Sequence, residues 1–182
     1  MIALVFSLAA CTPTGRPAQA APLDQDRYRR PDLVLAALAI VPGSTIADVG
    51  AGSGYLTHRL AAGAGARGRV TATDIDAAQL ARIGAGDPGE APIATRVVSP
   101  DDPGLEPGAY DLILLSEVDH LLADRVSYLR KLVPALKRGG RIAISNRRVH
   151  LEPLLSAVER AGLSRVGAYE GLPAHFLVQV RP

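Results

Sequence analysis

Hydrophobic positions along this chain switch between a spacing of three to four and short continuous runs, and each switch marks a change of element. Leu33, Val34, Ala37 and Leu38 share one side of a helix that opens at Pro31-Asp32 and stops at Pro42-Gly43. The run Thr45–Val49 predicts a buried strand. A Gly-rich turn follows it, then a helix from Tyr55 to Ala62 with Leu56 and Leu60 inward. Strands are predicted at 69–73, 93–98, 111–115 and 141–145, with a short helix over 77–83. Val126, Leu129, Leu132, Val133 and Leu136 form the stripe of a helix over 123–136, kinked or ended early by Pro134 and capped by Gly139-Gly140. A helix over 151–161 and strands at 166–169 and 176–180 complete the chain.

Strands alternating with helices predict an α/β fold, a Rossmann-like doubly wound sheet that is mostly parallel and has helices on both faces. Seven strands are predicted. No helix separates the last two, so the last strand should run antiparallel.

The first fifteen residues carry no charged side chain, and Ile2–Ala10 is too short to span a bilayer. It has the length of a signal-peptide core and ends in Leu8-Ala9-Ala10-Cys11, which resembles the bacterial lipobox. Cys11 is the only cysteine, so an intramolecular disulfide and a multi-cysteine zinc site are both excluded. Cleavage after Ala18-Gln19-Ala20 is a second option. A misassigned start, leaving a cytoplasmic protein with a plain tail, is a third. The division expected is therefore a leader and flexible tether over 1–25 and one domain over 26–182, located at the cell envelope as a lipoprotein.

Composition then narrows the chemistry. Twenty basic against eighteen acidic residues provide no electrostatic case for nucleic acid as the main partner. Aromatic residues make up 4%, with no Trp, so the core must be aliphatic. No pair of histidines has metal-ligand spacing, and no metal is expected.

The informative stretch is Ile46-Ala-Asp48-Val-Gly50-Ala51-Gly52-Ser-Gly54-Tyr55. It joins a strand to a helix, where free N–H groups and glycines let a ligand approach the backbone. Its G-x-G-x-G spacing departs from the dinucleotide pattern G-x-G-x-x-G, and the Lys of a P-loop is absent. The stretch resembles the first motif of the class I S-adenosylmethionine-dependent methyltransferases. Val70-Thr-Ala-Thr-Asp74-Ile75-Asp76 resembles that family's second strand, Ser99-Pro-Asp101-Asp102 its loop after the third, and Tyr110–Leu115 its fourth. Leu136-Lys-Arg-Gly-Gly140 resembles its turn before the fifth strand, and Leu172–Val178 the final strand of one of its groups.

The resemblance covers roughly residues 28–180 and implies S-adenosylmethionine as cofactor. Asp48, Gly50, Ala51, Gly52, Gly54 and Tyr55 would form its glycine turn. Asp74 would meet the ribose and Asp101 or Asp102 the adenine, with Ile75 and Ser116 also at the cofactor. Asp48 either meets the amino acid part of the cofactor or fixes the turn. Glu117, Asp119 and His120 follow the fourth strand and are the candidate bases, needed only if the acceptor must lose a proton. Tyr28, with Arg27, Arg29 and Arg30, reads as a mobile charged leader or as a lid over the cofactor.

The function expected is methyl transfer to an unidentified small-molecule or protein acceptor. The alternatives are a non-catalytic S-adenosylmethionine- or nucleoside-binding domain tethered to the envelope, and a Rossmann-type oxidoreductase. Membrane contact is expected only through a lipid on Cys11, and the oligomeric state is left open.

Overall fold

Buried residues run consecutively, without alternation, through β1 (Thr45–Val49), β2 (Arg69–Asp74) and β4 (Tyr110–Ser116), as strands covered on both faces require. The computed structural model describes residues 22–182. Cys11 and the alternative cleavage position after Ala20 lie outside the described residues. With β3 (Ile93–Val97), β5 (Leu136–Arg147), β6 (Ser164–Tyr169) and β7 (His175–Arg181), these strands form one seven-stranded sheet in the order β3-β2-β1-β4-β5-β7-β6. β7 runs antiparallel to both β5 and β6, and the other pairings are parallel. The antiparallel strand is thus last in sequence but sits one place in from the edge.

Period-two alternation on β4 divides the core. Leu112 and Leu114 pack with α2 (Pro31–Leu38) and α3 (Thr57–Ala64) through Val34, Leu38, Leu56 and Leu60. Ile113 and Leu115 pack with α5 (Arg125–Leu132) and α6 (Leu151–Arg160) through Leu129, Leu132, Leu154 and Val158. The strand order reverses between β1 and β4, and a crevice opens at the carboxyl ends of strands at such a switch point.

Four expectations change in detail. The helix predicted over 123–136 spans Arg125–Leu132, because the Asp124 carboxylate caps it by accepting from the Ser127 N–H at 3.0 Å and Pro134 converts the next turn to a 3-10 form. Gly139, at φ +83°, bends β5 instead of capping a helix. The helix after Asp76 shortens to α4 (Ala77–Leu80). Ahead of α2, residues 22–29 form helix α1 (Pro22–Arg29), which crosses the boundary expected at residue 25.

Candidate functional site

At the end of β1 the Asp48 side chain is buried and accepts a 2.7 Å hydrogen bond from Thr57 Oγ1, the first residue of α3. Burial pushes its carboxyl up to about 6. The glycine turn follows. Gly50 and Ala51 donate to the Thr73 carbonyl at 2.8 and 3.0 Å, which ties the turn to β2. Gly50, Gly52 and Gly54 all have positive φ, but they serve different ends. A Cβ on Gly50 would lie 2.2 Å from Val118 Cγ2, and one on Gly54 3.0 Å from Ile83. A Cβ on Gly52 would meet nothing within 4 Å. The outer glycines therefore admit packing neighbours, and the middle one keeps the cleft open.

Asp74 ends β2 and faces this turn. Its carboxylate accepts from the Gly52 N–H at 2.8 Å and the Asp76 N–H at 3.0 Å. Around the two lies a cleft of about 460 Å³ lined by Asp48, Gly50, Ala51, Gly52, Tyr55, Asp74, Ile75, Ser116 and Glu117. Gly54 is absent from that lining and acts through packing alone. An adjoining apolar crevice of about 190 Å³ shares Gly50, Asp74 and Ile75 and continues between Val98, Pro100, Val118 and Tyr128. The buried Thr73 hydroxyl on its wall has no partner among the described residues.

Neither Asp101 nor Asp102 lines the cleft or this crevice. Both are exposed and turned to local partners: Asp101 accepts from Ser99 Oγ at 3.1 Å and Asp102 from the Gly104 N–H at 2.9 Å. Ser99 and Pro100 hold the crevice wall in their place.

Of the three candidate bases, only Glu117 lines the cleft. Its φ of +57° is unusual for a side chain other than glycine. The turn aims its carboxylate at His175 Nε2, 2.5 Å away, and toward Arg29 Nε at 3.6 Å. The hydrogen bond from His175, then the Arg29 charge, hold it below the usual carboxylate range. Asp119 is fully buried instead, accepting from Asn146 Nδ2 at 2.7 Å and pairing with Arg125 at 3.3 Å. His120 stacks on His150 at 4.5 Å, and its Nδ1 lies 2.9 Å from the same Asn146 amide. These two residues brace the loops beside the cleft.

Arg29, which the sequence offered as part of a leader or a lid, closes the site together with Asp26, Arg59 and His175, which the sequence did not single out. Arg29 lies 4.2 Å over the Tyr55 ring and donates to Ser116 Oγ at 3.1 Å. Tyr55 donates to Asp26 at 2.6 Å, and Arg59 pairs with Asp26 at 3.0 Å. Arg29 thus belongs to a clamped helix that walls the cleft, while Arg30 pairs with Asp32 outside it. His175 was hidden too, since its contact with Glu117 spans 58 residues of sequence. The only local signals were the arginines around Tyr28 and the His in the segment before the last strand. Among the described residues no group of three or more His, Cys, Asp or Glu is placed to hold a metal.

Comparison with known structures finds the same architecture. An S-adenosylmethionine-dependent methyltransferase from Aquifex aeolicus superposes with a TM-score of 0.76 at 19% identity, over 89% of this chain and 98% of that one. One from Mesorhizobium loti gives 0.67 at 20% identity, over 82% and 96%. A cyclase gives 0.68 at 14% identity, over 86% and 82%. No curated protein sequence matches the chain. The sequence profile of the methyltransferase domain matches residues 47–142, more than half of the 182 residues. Glycine turn, strand-end acid, strand order and profile agree, and the chain belongs to the class I S-adenosylmethionine-dependent methyltransferase family.

Proposed function

We propose that the cleft binds S-adenosylmethionine and that the chain passes its methyl group to a small-molecule or protein acceptor whose nucleophilic atom already carries a free lone pair. The observation that carries this reading is the meeting of the glycine turn with Asp74 across one cleft, at 2.8 Å. The donor set fits a cationic ligand: Asp48, Asp74, Asp76 and Glu117 line the cleft against one cation, Arg29. In this reading Asp74 accepts from the ribose hydroxyls, and the apolar crevice takes the flat base. Asp48 faces the ammonium group of the amino acid part, and Arg29 its carboxylate.

The cofactor supplies a methyl group on a sulfonium, a good leaving group displaced in line. The chain's own residues then contribute position and field. Ser116 and Glu117 stand where the acceptor would enter, and Glu117 stays anionic through its bond from His175. A carboxylate held below its usual range is a poor proton acceptor. His120 and Asp119 are engaged elsewhere. This favours an acceptor that needs no deprotonation.

A second reading, cofactor binding without transfer, draws on the same shortage of a base and on the cyclase that shares the fold. Calorimetry with S-adenosylmethionine and with NAD, followed by assay of S-adenosylhomocysteine release over an acceptor panel, separates the readings. Binding of the first ligand with release supports transfer. Binding without release from any acceptor supports the second reading, and preference for NAD defeats both. Export with a lipid on Cys11 is proposed on the leader alone, and Cys11→Ser should then abolish lipid labelling.

A further inference from the structure

The carboxyl end of the sheet is acidic, and the opposite end carries the reverse charge. A second cavity, of about 370 Å³, opens there beside the starts of β1, β4 and β5, with Lys137, Arg138 and Arg141 on its wall and Asp111 as its one acid. A detour in β5 builds it. Tyr110 pairs with Leu136 and Leu112 with Arg141, so residues 137–140 lie opposite Asp111 alone. The detour needs its glycines: Gly139 sits at φ +83°, and a Cβ on Gly140 would lie 2.7 Å from the Tyr110 carbonyl oxygen.

The charges do not cancel. Lys137 Nζ pairs with Asp111 at 2.7 Å, and Asp111 also accepts from the Thr45 N–H at 2.8 Å, so that carboxylate is engaged. Arg141 donates only to neutral acceptors, Gln179 Oε1 at 2.5 Å and the Leu38 carbonyl. Burial, then nearby Arg181, lower its pKa, and the Asp111 charge offsets them only in part. Arg138 is exposed and makes no ion pair among the described residues. Arg138 thus offers an open guanidinium fork, which matches a multiply charged oxyanion bidentately, while Arg141, its Nε and Nη2 already donating within the protein, adds positive charge to the same concavity.

We propose that this cavity is an anion site, remote from the methyl-transfer cleft, that takes a phosphate group. Its source is either a small phosphorylated molecule or a phospholipid headgroup.

The test uses the full chain at ionic strength held constant with KCl. Calorimetry with inorganic pyrophosphate reports the free source. Co-sedimentation with phosphatidylglycerol vesicles, against phosphatidylcholine vesicles, reports the headgroup. Wild-type protein should bind at least one probe, and Arg138→Glu should weaken that binding about tenfold or more, the scale of one charge-assisted contact. Arg138→Lys should retain part of it. S-adenosylmethionine affinity should not change in either variant, so failure here leaves the proposed methyl transfer standing. Binding of neither probe by wild type, or equal binding by Arg138→Glu, overturns the site.

Discussion

Asp48 and Asp74 flank the same glycine turn but differ in burial and in partners. Asp74, half-buried and bonded by two N–H groups, offers its remaining acceptor capacity to a ligand. Asp74→Ala should weaken S-adenosylmethionine binding by about 1–3 kcal/mol, the range for losing charged hydrogen bonds, as read by calorimetry. Asp48 is the buried one, and its carboxyl is pushed up to about 6. The sign follows from that direction. A carboxyl raised above its unfolded value favours the folded state while protonated, and this contribution is lost as pH rises through the folded value. Wild type should therefore lose stability relative to Asp48→Asn between pH 4 and pH 7, by an amount on the order of 2–3 kcal/mol. Urea denaturation at each pH measures it. A cationic ligand needs the ionised form, so cofactor affinity should rise over the same interval in wild type and stay flat in the variant.

The glycine turn and helix α1 are the elements that make the cleft. Gly50→Ala and Gly52→Ala both force a side chain into positive φ, at a cost of about 1–2 kcal/mol. Their further effects should diverge. At Gly50 the new methyl collides with Val118, so stability should fall by more than the conformational cost. At Gly52 the methyl enters the cleft, so cofactor binding should fall at least about tenfold with little further loss of stability. Denaturation and calorimetry on the pair separate packing from binding. Among the described side chains, helix α1 is held by contacts of Asp26, Tyr28 and Arg29 with Tyr55, Arg59, Ser116, Glu117 and His175. If it walls the cofactor, its amides should gain hydrogen-exchange protection when S-adenosylmethionine binds, and Arg29→Ala should lower that gain.

For the molecule as a whole, a net charge of +2 conceals a separation of charge. Acids gather at the carboxyl end of the sheet, where the cleft around the glycine turn opens, and guanidinium groups at the other. The body between them is aliphatic, with fully buried Leu from both helical layers packed on fully buried Leu, Ile and Val of the sheet. Leu129→Ala should destabilise the fold by about 2–5 kcal/mol, the range for a buried leucine cavity, without altering cofactor affinity at temperatures where the variant remains folded. Among the described residues no helix is long and apolar enough to cross a membrane.

Local information carried far in this chain. The G-x-G-x-G turn, Asp74 at the next strand end and the strand–helix alternation were all legible, because backbone freedom and hydrophobic periodicity are properties of neighbouring residues. The end of the helix near Pro134 was legible only as one of two options, and Gly139 was misassigned as its cap because a left-handed glycine also serves a strand detour. Tertiary structure alone decided the rest. It seated Arg29 on Ser116 across 87 residues and His175 on Glu117 across 58. It turned Asp101 and Asp102 away from the crevice and buried Asp119 with Asn146. Side chains of this kind find partners through the order in which strands pair, and nothing in a residue's own neighbourhood encodes that order.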